Sequence, residues 1–370
     1  MMNLSEPIGV YLHIPFCDGK CPYCDFFSKK ADEQEFDRYT EEMVKRIYKE
    51  AALINRHADT VYFGGGTPSL LGSERLNRIL KAVRDGFGLT PHTEVTVEVN
   101  PTPKNLPDFY ALRKAGFNRL SMGLQSANAN ELQILGRKHT AEAAARAVTL
   151  ARQNGFENIS LDLMLAVPYQ TTESLKRSVE FCAAQACCHI SCYLLKIEEG
   201  TPFFKQQSEL PLFDDERQAD FYLQACELLE QNGYKQYEIS NFAKSGCESR
   251  HNLKYWHDEE YIGIGASAHA FINGKRFYYP RSLTDFYADK RIEEGNGGDE
   301  EEYIMLALRL TEGLCRSRFQ KRFGYALPQK YFQSAQRFVA AGLTEVGQDD
   351  IKLTRQGFLV SNALIAEILS

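Results

Sequence analysis

Six stretches of this chain alternate apolar with polar or small residues, near 8–14, 59–64, 93–99, 118–124, 158–165 and 189–195. A helix-period segment follows each one, near 34–54, 72–85, 104–115, 140–154, 171–186 and 214–232. Few folds accommodate that rhythm, because parallel neighbours need a long crossover, and the crossover is normally a helix lying on the sheet. It predicts an α/β chain, an incomplete (β/α)6 barrel. Strand parity adds a functional expectation. Val95, Val97 and Val99 share one face while Glu94, Thr96, Glu98 and Asn100 share the other. Likewise Leu120, Met122 and Leu124 oppose Ser121, Gly123 and Gln125, and Leu161, Leu163 and Leu165 oppose Ser160, Asp162 and Met164. If the apolar faces meet the helices, Glu98, Gln125 and Asp162 lie in the lumen near the C-terminal strand ends, where such barrels hold their sites. A packed lumen favours branched apolar side chains, so a polar column this long predicts a ligand.

The chain has 370 residues, enough for one large core and an accessory domain. Glu293 to Glu302 is glycine-rich and strongly acidic, and reads as a flexible stretch that packs poorly. It divides a barrel unit, 1–296, from a small C-terminal unit, 297–370. In the latter, helical segments near 301–311 and 328–341, a hairpin turning at Gly347 to Asp350 and a helix from about 354 predict a winged-helix-like domain. A formal charge of −6 argues against nucleic acid as a partner. The sequence shows neither a signal peptide nor an apolar run of membrane-spanning length, which predicts a cytoplasmic chain whose ten cysteines are thiols or metal ligands.

The first strand-like run leads into Cys17, Cys21 and Cys24, a C-x3-C-x2-C triplet. Soft thiolates select iron–sulfur clusters or zinc, and three of them leave one iron of a four-iron cluster open to a non-protein ligand. The same triplet suits a zinc knuckle with His13 or Asp25 as fourth ligand, although no second C-x2-C pair accompanies it. Gly64-Gly65-Gly66-Thr67-Pro68 follows the second strand, where glycines let backbone approach a ligand. No Gly-Lys-Ser/Thr follows, so it is not a phosphate loop. Arg137, in Leu135 to His139, is a natural bidentate partner for a carboxylate. Cys182, Cys187, Cys188, His189 and Cys192 crowd together in sequence, but Cys188 and His189 point to opposite faces of a strand, so no shared metal is expected.

Five segments carry a resemblance: Tyr-Leu-His-Ile-Pro-Phe-Cys (Tyr11 to Cys17), Phe-Gly-Gly-Gly-Thr-Pro-Ser (Phe63 to Ser69), Glu-Val-Asn-Pro (Glu98 to Pro101), Arg119 to Gln125 and Leu135 to His139. Together they resemble the oxygen-independent coproporphyrinogen III oxidase-like family of the radical S-adenosylmethionine (SAM) superfamily, along most of the chain. The resemblance implies a [4Fe–4S] cluster on Cys17, Cys21 and Cys24, with SAM chelating the open iron and an electron from the cluster cleaving SAM to a 5′-deoxyadenosyl radical. It further implies SAM contacts from Tyr11, Tyr23, Gly65, Gly66, Thr67, Glu98, Gln125, Arg137 and Asp162. Arg137 is then expected at the carboxylate, the glycine loop at the amino group, and the acidic and amide side chains at the ribose or amino group.

Two departures from the oxidases stand out. Phe26 occupies the position of their fourth cysteine, and the first strand begins by about Ile8, leaving no room for their N-terminal cover. Conversely, His251-Asn-Leu-Lys-Tyr-Trp256 matches the H-N-x-x-Y-W motif of the family's heme-chaperone branch. That match implies heme as a further cofactor. His251 would be an iron ligand, Tyr255 and Trp256 would pack on the macrocycle, and His257 and His269 would be reserve ligands. The implied partners are heme, acceptor hemoproteins, including membrane ones reached from the periphery, and an electron donor if SAM is cleaved. The alternative within the family is oxidative decarboxylation of coproporphyrinogen III.

Overall fold

The computed structural model describes residues 6–370. Strands β1 (Ile8–Ile14), β2 (Ala58–Gly65), β3 (Glu94–Val99), β4 (Arg119–Gln125), β5 (Asn158–Leu165) and β6 (His189–Leu194) pair in parallel in chain order. The crossovers are the helices Glu33–Ile54, Gly72–Phe87, Phe109–Ala115, Ala141–Gln153 and Thr172–Ala184, and Asp215–Gln231 follows β6. The third is shorter than the sequence predicts. Pro107 disfavours helix at Leu106, and Asp108 then caps a new start by accepting the Ala111 N–H at 3.0 Å.

Parity operates as expected. Val10, Leu12, Val61, Phe63, Val97, Leu120, Met122, Leu161 and Ile190 are fully buried in one core under the helices. Their neighbours of opposite parity lie on the inner face, with Tyr62, Thr96 and Arg119 in one register row and Glu98, Ser121 and Ser160 in the next. The sheet does not close. β7 (Lys235–Gln236) and β8 (Asn241–Ala243) extend it beyond β6, with β8 antiparallel to β6. Beyond β1 it continues through β9 (Tyr261–Ile264), parallel to β1, and the antiparallel β10 (His269–Ile272), β11 (Lys275–Tyr278) and β12 (Ile292–Asn296). These strands are two to five residues long and mostly antiparallel, so the strand-and-crossover rhythm that announced the first six misses them.

The acidic stretch departs from expectation. Glu293 to Asn296 belong to β12, and Glu300 to Glu302 form the first turn of helix Glu300–Ala307, where carboxylates favour the helix dipole. Glu302 is held by Arg276 Nε at 2.7 Å. The segment is built into the fold because an edge strand and a helix start both tolerate, and even favour, acidic side chains. The remainder forms helices around a three-stranded sheet of β13 (Leu314–Cys315), β14 (Thr344–Val346) and β15 (Asp350–Leu353), and the predicted turn closes with Gly347 N–H donating to Asp350 O at 2.9 Å. Tyr303, Phe319, Phe358 and Ile368 join the same continuous core as β1. Among the described residues no helix is long and apolar enough to cross a membrane.

Candidate functional site

The inner face carries a column of polar groups ending at the C-terminal mouth. Glu98 accepts the Tyr62 hydroxyl at Oε1 (3.0 Å) and the Gly65 N–H at Oε2 (3.1 Å). Asp162, on β5, accepts the Ser121 hydroxyl at 3.3 Å. Burial and then the charge of Asp162 push Glu98 up to about 7, while burial pushes Asp162 up to about 6 against the Ser191 hydrogen bond and the Arg119 charge. Two carboxylates held this far above their ordinary range call for a ligand that brings positive charge or hydroxyl donors. SAM, with a sulfonium, an ammonium and a ribose diol, is such a ligand.

At the mouth the backbone leaves no room for larger residues. Gly65 has φ +115°, and a Cβ on Gly66 would lie 2.5 Å from Phe16 O. Gly66 and Thr67 donate their N–H groups to Ile14 O and Phe16 O at 2.9 and 2.7 Å, which fastens the glycine loop to the cysteine loop. Cys17 Sγ lies 3.5 Å from Thr67 Oγ1. Arg137 reaches in from the β4 side, donating to Gly123 O at 2.8 Å and Asn100 Oδ1 at 3.1 Å and pointing Nη1 at Cys21 Sγ, 3.7 Å away. Its buried Nε has no partner. Gln125, at φ 72° beside a bulge in β4, folds over Gly123, where an added Cβ would meet Gln125 Nε2 at 2.9 Å and Arg137 Nη2 at 3.1 Å. Tyr23 packs with Leu135, Met164 and Phe203 beneath the cysteine loop, and Phe203 N–H donates to Pro22 O at 3.0 Å. The mouth thus gathers Cys17, Cys21, Cys24, Tyr23, Gly65, Gly66, Thr67, Glu98, Gln125, Arg137 and Asp162.

The zinc-knuckle alternative loses both of its fourth ligands. His13 has Nε2 3.2 Å from the Phe27 carbonyl, which can only accept, so Nε2 carries the proton and Nδ1 accepts the Tyr11 hydroxyl at 3.0 Å. Burial holds His13 down to about 4, and therefore neutral. Asp25 is paired with Arg281 at 3.0 Å. Among the described residues no three His, Cys, Asp or Glu side chains gather as a single metal ion requires, at Cys182 to Cys192 included. The three loop thiols are spread along one loop, and a four-iron cluster is itself wider than one ion.

His251 lies at the opposite end from the cysteines. Helix Arg250–Trp256 closes the floor of the barrel, where the Glu94 carboxylate accepts the Arg250 and His251 N–H groups at 3.1 and 3.0 Å. The imidazole is 1% exposed, stacked on Tyr62 with ring centroids 5.3 Å apart. Both ring nitrogens are engaged, Nδ1 with Thr60 Oγ1 and Nε2 with Tyr255 OH, each at 2.8 Å. In this arrangement neither is free for iron, and Tyr255 packs on His251 and Tyr261. The reserve residues are also occupied, His257 by Glu312 at 2.7 Å and His269 by Glu294 at 3.3 Å.

His251→Ala is expected to cost about 2 kcal/mol of stability, since it strands the buried Thr60 hydroxyl and the half-buried Tyr255 hydroxyl. Burial lowers the His251 pKa to about 3, so its contribution is complete above the ordinary value of 6.5 and fades as pH falls toward 3. Chemical denaturation of wild type and variant at pH 8 and pH 5 checks this. An equal difference at both pH values, or none at pH 8, contradicts it.

Sequence reasoning missed Tyr62, the partner of Glu98, and Arg119, 2% exposed in the lower lumen. The parity that singled out Glu98 and Ser121 applies equally to these residues and would have found them.

The model of the radical SAM superfamily matches residues 11–182, and that of the HemN C-terminal domain matches 300–360. A heme chaperone HemW from Bacillus subtilis is 35% identical over 98% of this chain and 99% of its own length. Another from Lactococcus lactis is 33% identical over 99% and 98%. The solved structure of coproporphyrinogen III oxidase (HemN) from Escherichia coli matches with a TM-score of 0.83 over 99% of this chain and 91% of its own, at 23% identity, a likeness of fold. With its cysteine loop, glycine loop and C-terminal unit arranged as described, and with relatives this similar along its whole length, the chain belongs to the HemW family of the radical SAM superfamily.

Proposed function

We propose that this chain is a heme chaperone that holds a [4Fe–4S] cluster on Cys17, Cys21 and Cys24, binds SAM beside it, and delivers heme to acceptor hemoproteins. One observation carries the reading. The residues expected to contact SAM, Tyr11 apart, gather at one mouth of the barrel, and the H-N-x-x-Y-W helix of the chaperone branch packs at the other end. The full-length relatives named heme chaperone support the same conclusion. When bound, the cluster supplies the electron that cleaves SAM. Arg137 meets the SAM carboxylate with its unpartnered edge, carbonyls of the Gly64–Thr67 loop take the ammonium, and Glu98, Gln125 and Asp162 take the ribose hydroxyls. In this reading residues 1–296 hold the site, 297–370 form the second unit, and the protein works in the cytoplasm with an electron donor wherever SAM is cleaved. Anaerobically reconstituted protein loaded with hemin should restore the spectrum of an apo-hemoprotein. Failure to load, or to transfer, rejects the proposal.

The oxidase alternative makes a separable forecast. Phe26, which stands where the oxidases have a cysteine, is 66% exposed on the loop. We expect no conversion of coproporphyrinogen III with SAM and reductant present. Protoporphyrinogen IX among the products would establish the oxidase reading instead.

A further inference from the structure

The thiols outside the cysteine loop are not alike. Cys182, Cys187, Cys192 and Cys226 are sealed in the core, where no external oxidant reaches them. Cys315 has a serine, Ser317, as its neighbour, with the two side chains 3.2 Å apart. Cys188 and Cys247 are both half-buried, and the fold sets them side by side. β8 runs antiparallel to β6 with Ala243 opposite His189, so Lys244 falls opposite Cys188 and donates its N–H to Cys188 O at 2.8 Å. The chain then turns. Gly246 takes φ +82° and Cys247 N–H donates to Lys244 O at 3.0 Å, which returns Cys247 to the start of β6. There burial, and then the hydrogen bond and charge of Cys188, push the Cys247 thiol up to about 12. Arg119, 2% exposed with its Nε unpartnered, bears on both thiols with its positive charge.

We propose that Cys188 and Cys247 form a reversible disulfide that staples the entry of the H-N-x-x-Y-W helix to the start of β6. Ser249, just beyond Cys247, caps that helix, and its own N–H donates to Tyr237 OH at 3.2 Å. In the reduced protein this entry is held by single hydrogen bonds, and the disulfide adds a covalent one. A low-molecular-weight disulfide is the oxidant. The Cys188 thiolate attacks one of its sulfurs, the small S–S bond breaks, and the departing thiolate takes up the proton that Cys188 released. Cys247 then attacks the Cys188 sulfur of the mixed disulfide. The Cys188–Cys247 bond forms, and a second small thiol leaves with the Cys247 proton. Two protein thiols have lost two electrons and two protons to one small disulfide. The tightly held proton of Cys247 fixes this order. Its turn comes in an intramolecular step, where proximity offsets a low thiolate fraction, and after Cys188 has lost the charge that helped hold the proton. Such bonds are transient in a reducing compartment, so the staple closes only as the small-thiol pool becomes oxidised. The inference stands whatever the helix binds.

The test equilibrates anaerobic, cluster-loaded full-length protein with oxidised and reduced glutathione over a range of ratios, blocks the remaining thiols and maps unreduced peptides by mass spectrometry. One Cys188–Cys247 cross-link is expected, reversed by excess reduced glutathione, with iron content unchanged. Cys188→Ser and Cys247→Ser, both outside the cluster and SAM residues, should each abolish it while keeping wild-type iron content, and Cys247→Ser should trap glutathione on Cys188. Hydrogen–deuterium exchange across 250–256 should slow roughly tenfold or more on oxidation of wild type and stay constant in both variants. Absence of the cross-link at every ratio overturns the proposal, as do cross-links scattered over other cysteines. Exchange that is unchanged with the cross-link present overturns it as well.

Discussion

Cys21→Ser protein, reconstituted without oxygen, should carry essentially no cluster iron, against about four irons per chain in wild type. The effect is all-or-none because the loop has no spare ligand. His13 is neutral with both nitrogens engaged, and Asp25 is committed to Arg281. A serine hydroxyl is a far harder donor than the thiolate that iron–sulfur chemistry selects. Iron and sulfide analysis reads the result. Stoichiometric zinc with negligible iron in wild type, or retained iron in the variant, would refute the assignment of the loop.

Arg137→Ala should lower SAM affinity by about 2–4 kcal/mol while leaving the cluster in place. The size follows from burial. The side chain is half-buried, two of its nitrogens are fixed by Gly123 O, Asn100 Oδ1 and the Cys21 sulfur, and the buried Nε remains unpartnered. A charge so positioned is already desolvated and oriented before the carboxylate arrives, so its removal forfeits a nearly complete interaction rather than a screened surface pair. Calorimetric titration of SAM into cluster-loaded protein measures it. Unchanged affinity removes Arg137 from the site, and loss of iron instead would make it a structural support of the loop.

Much of the site was legible in the chain because its signals are local. C-x3-C-x2-C, the Gly64–Gly66 run and the alternation around Glu98 and Asp162 are each readable within ten residues, and all of them come to the mouth of the barrel. His251 was not legible in this way. Its motif names a neighbourhood, but its ring partner Thr60 lies 191 residues away in sequence. Nor did the acidic run near 293–302 reveal itself. Composition suggested a loose stretch, whereas the vacant edge of β11 and a helix start put those carboxylates to use.

The sequence by itself determined the order of parallel strands, the face each side chain takes and the identity of the thiolate loop. Periods of two and of 3.6 residues are properties of neighbouring residues, and hydrophobic burial converts them directly into layers. Tertiary structure alone decided which end of the barrel each motif occupies. It sent the cysteines to the mouth and His251 to the floor, and it engaged both nitrogens of His13 and of His251. Those outcomes depend on contacts between residues tens to hundreds of positions apart, and a local period carries no information about them.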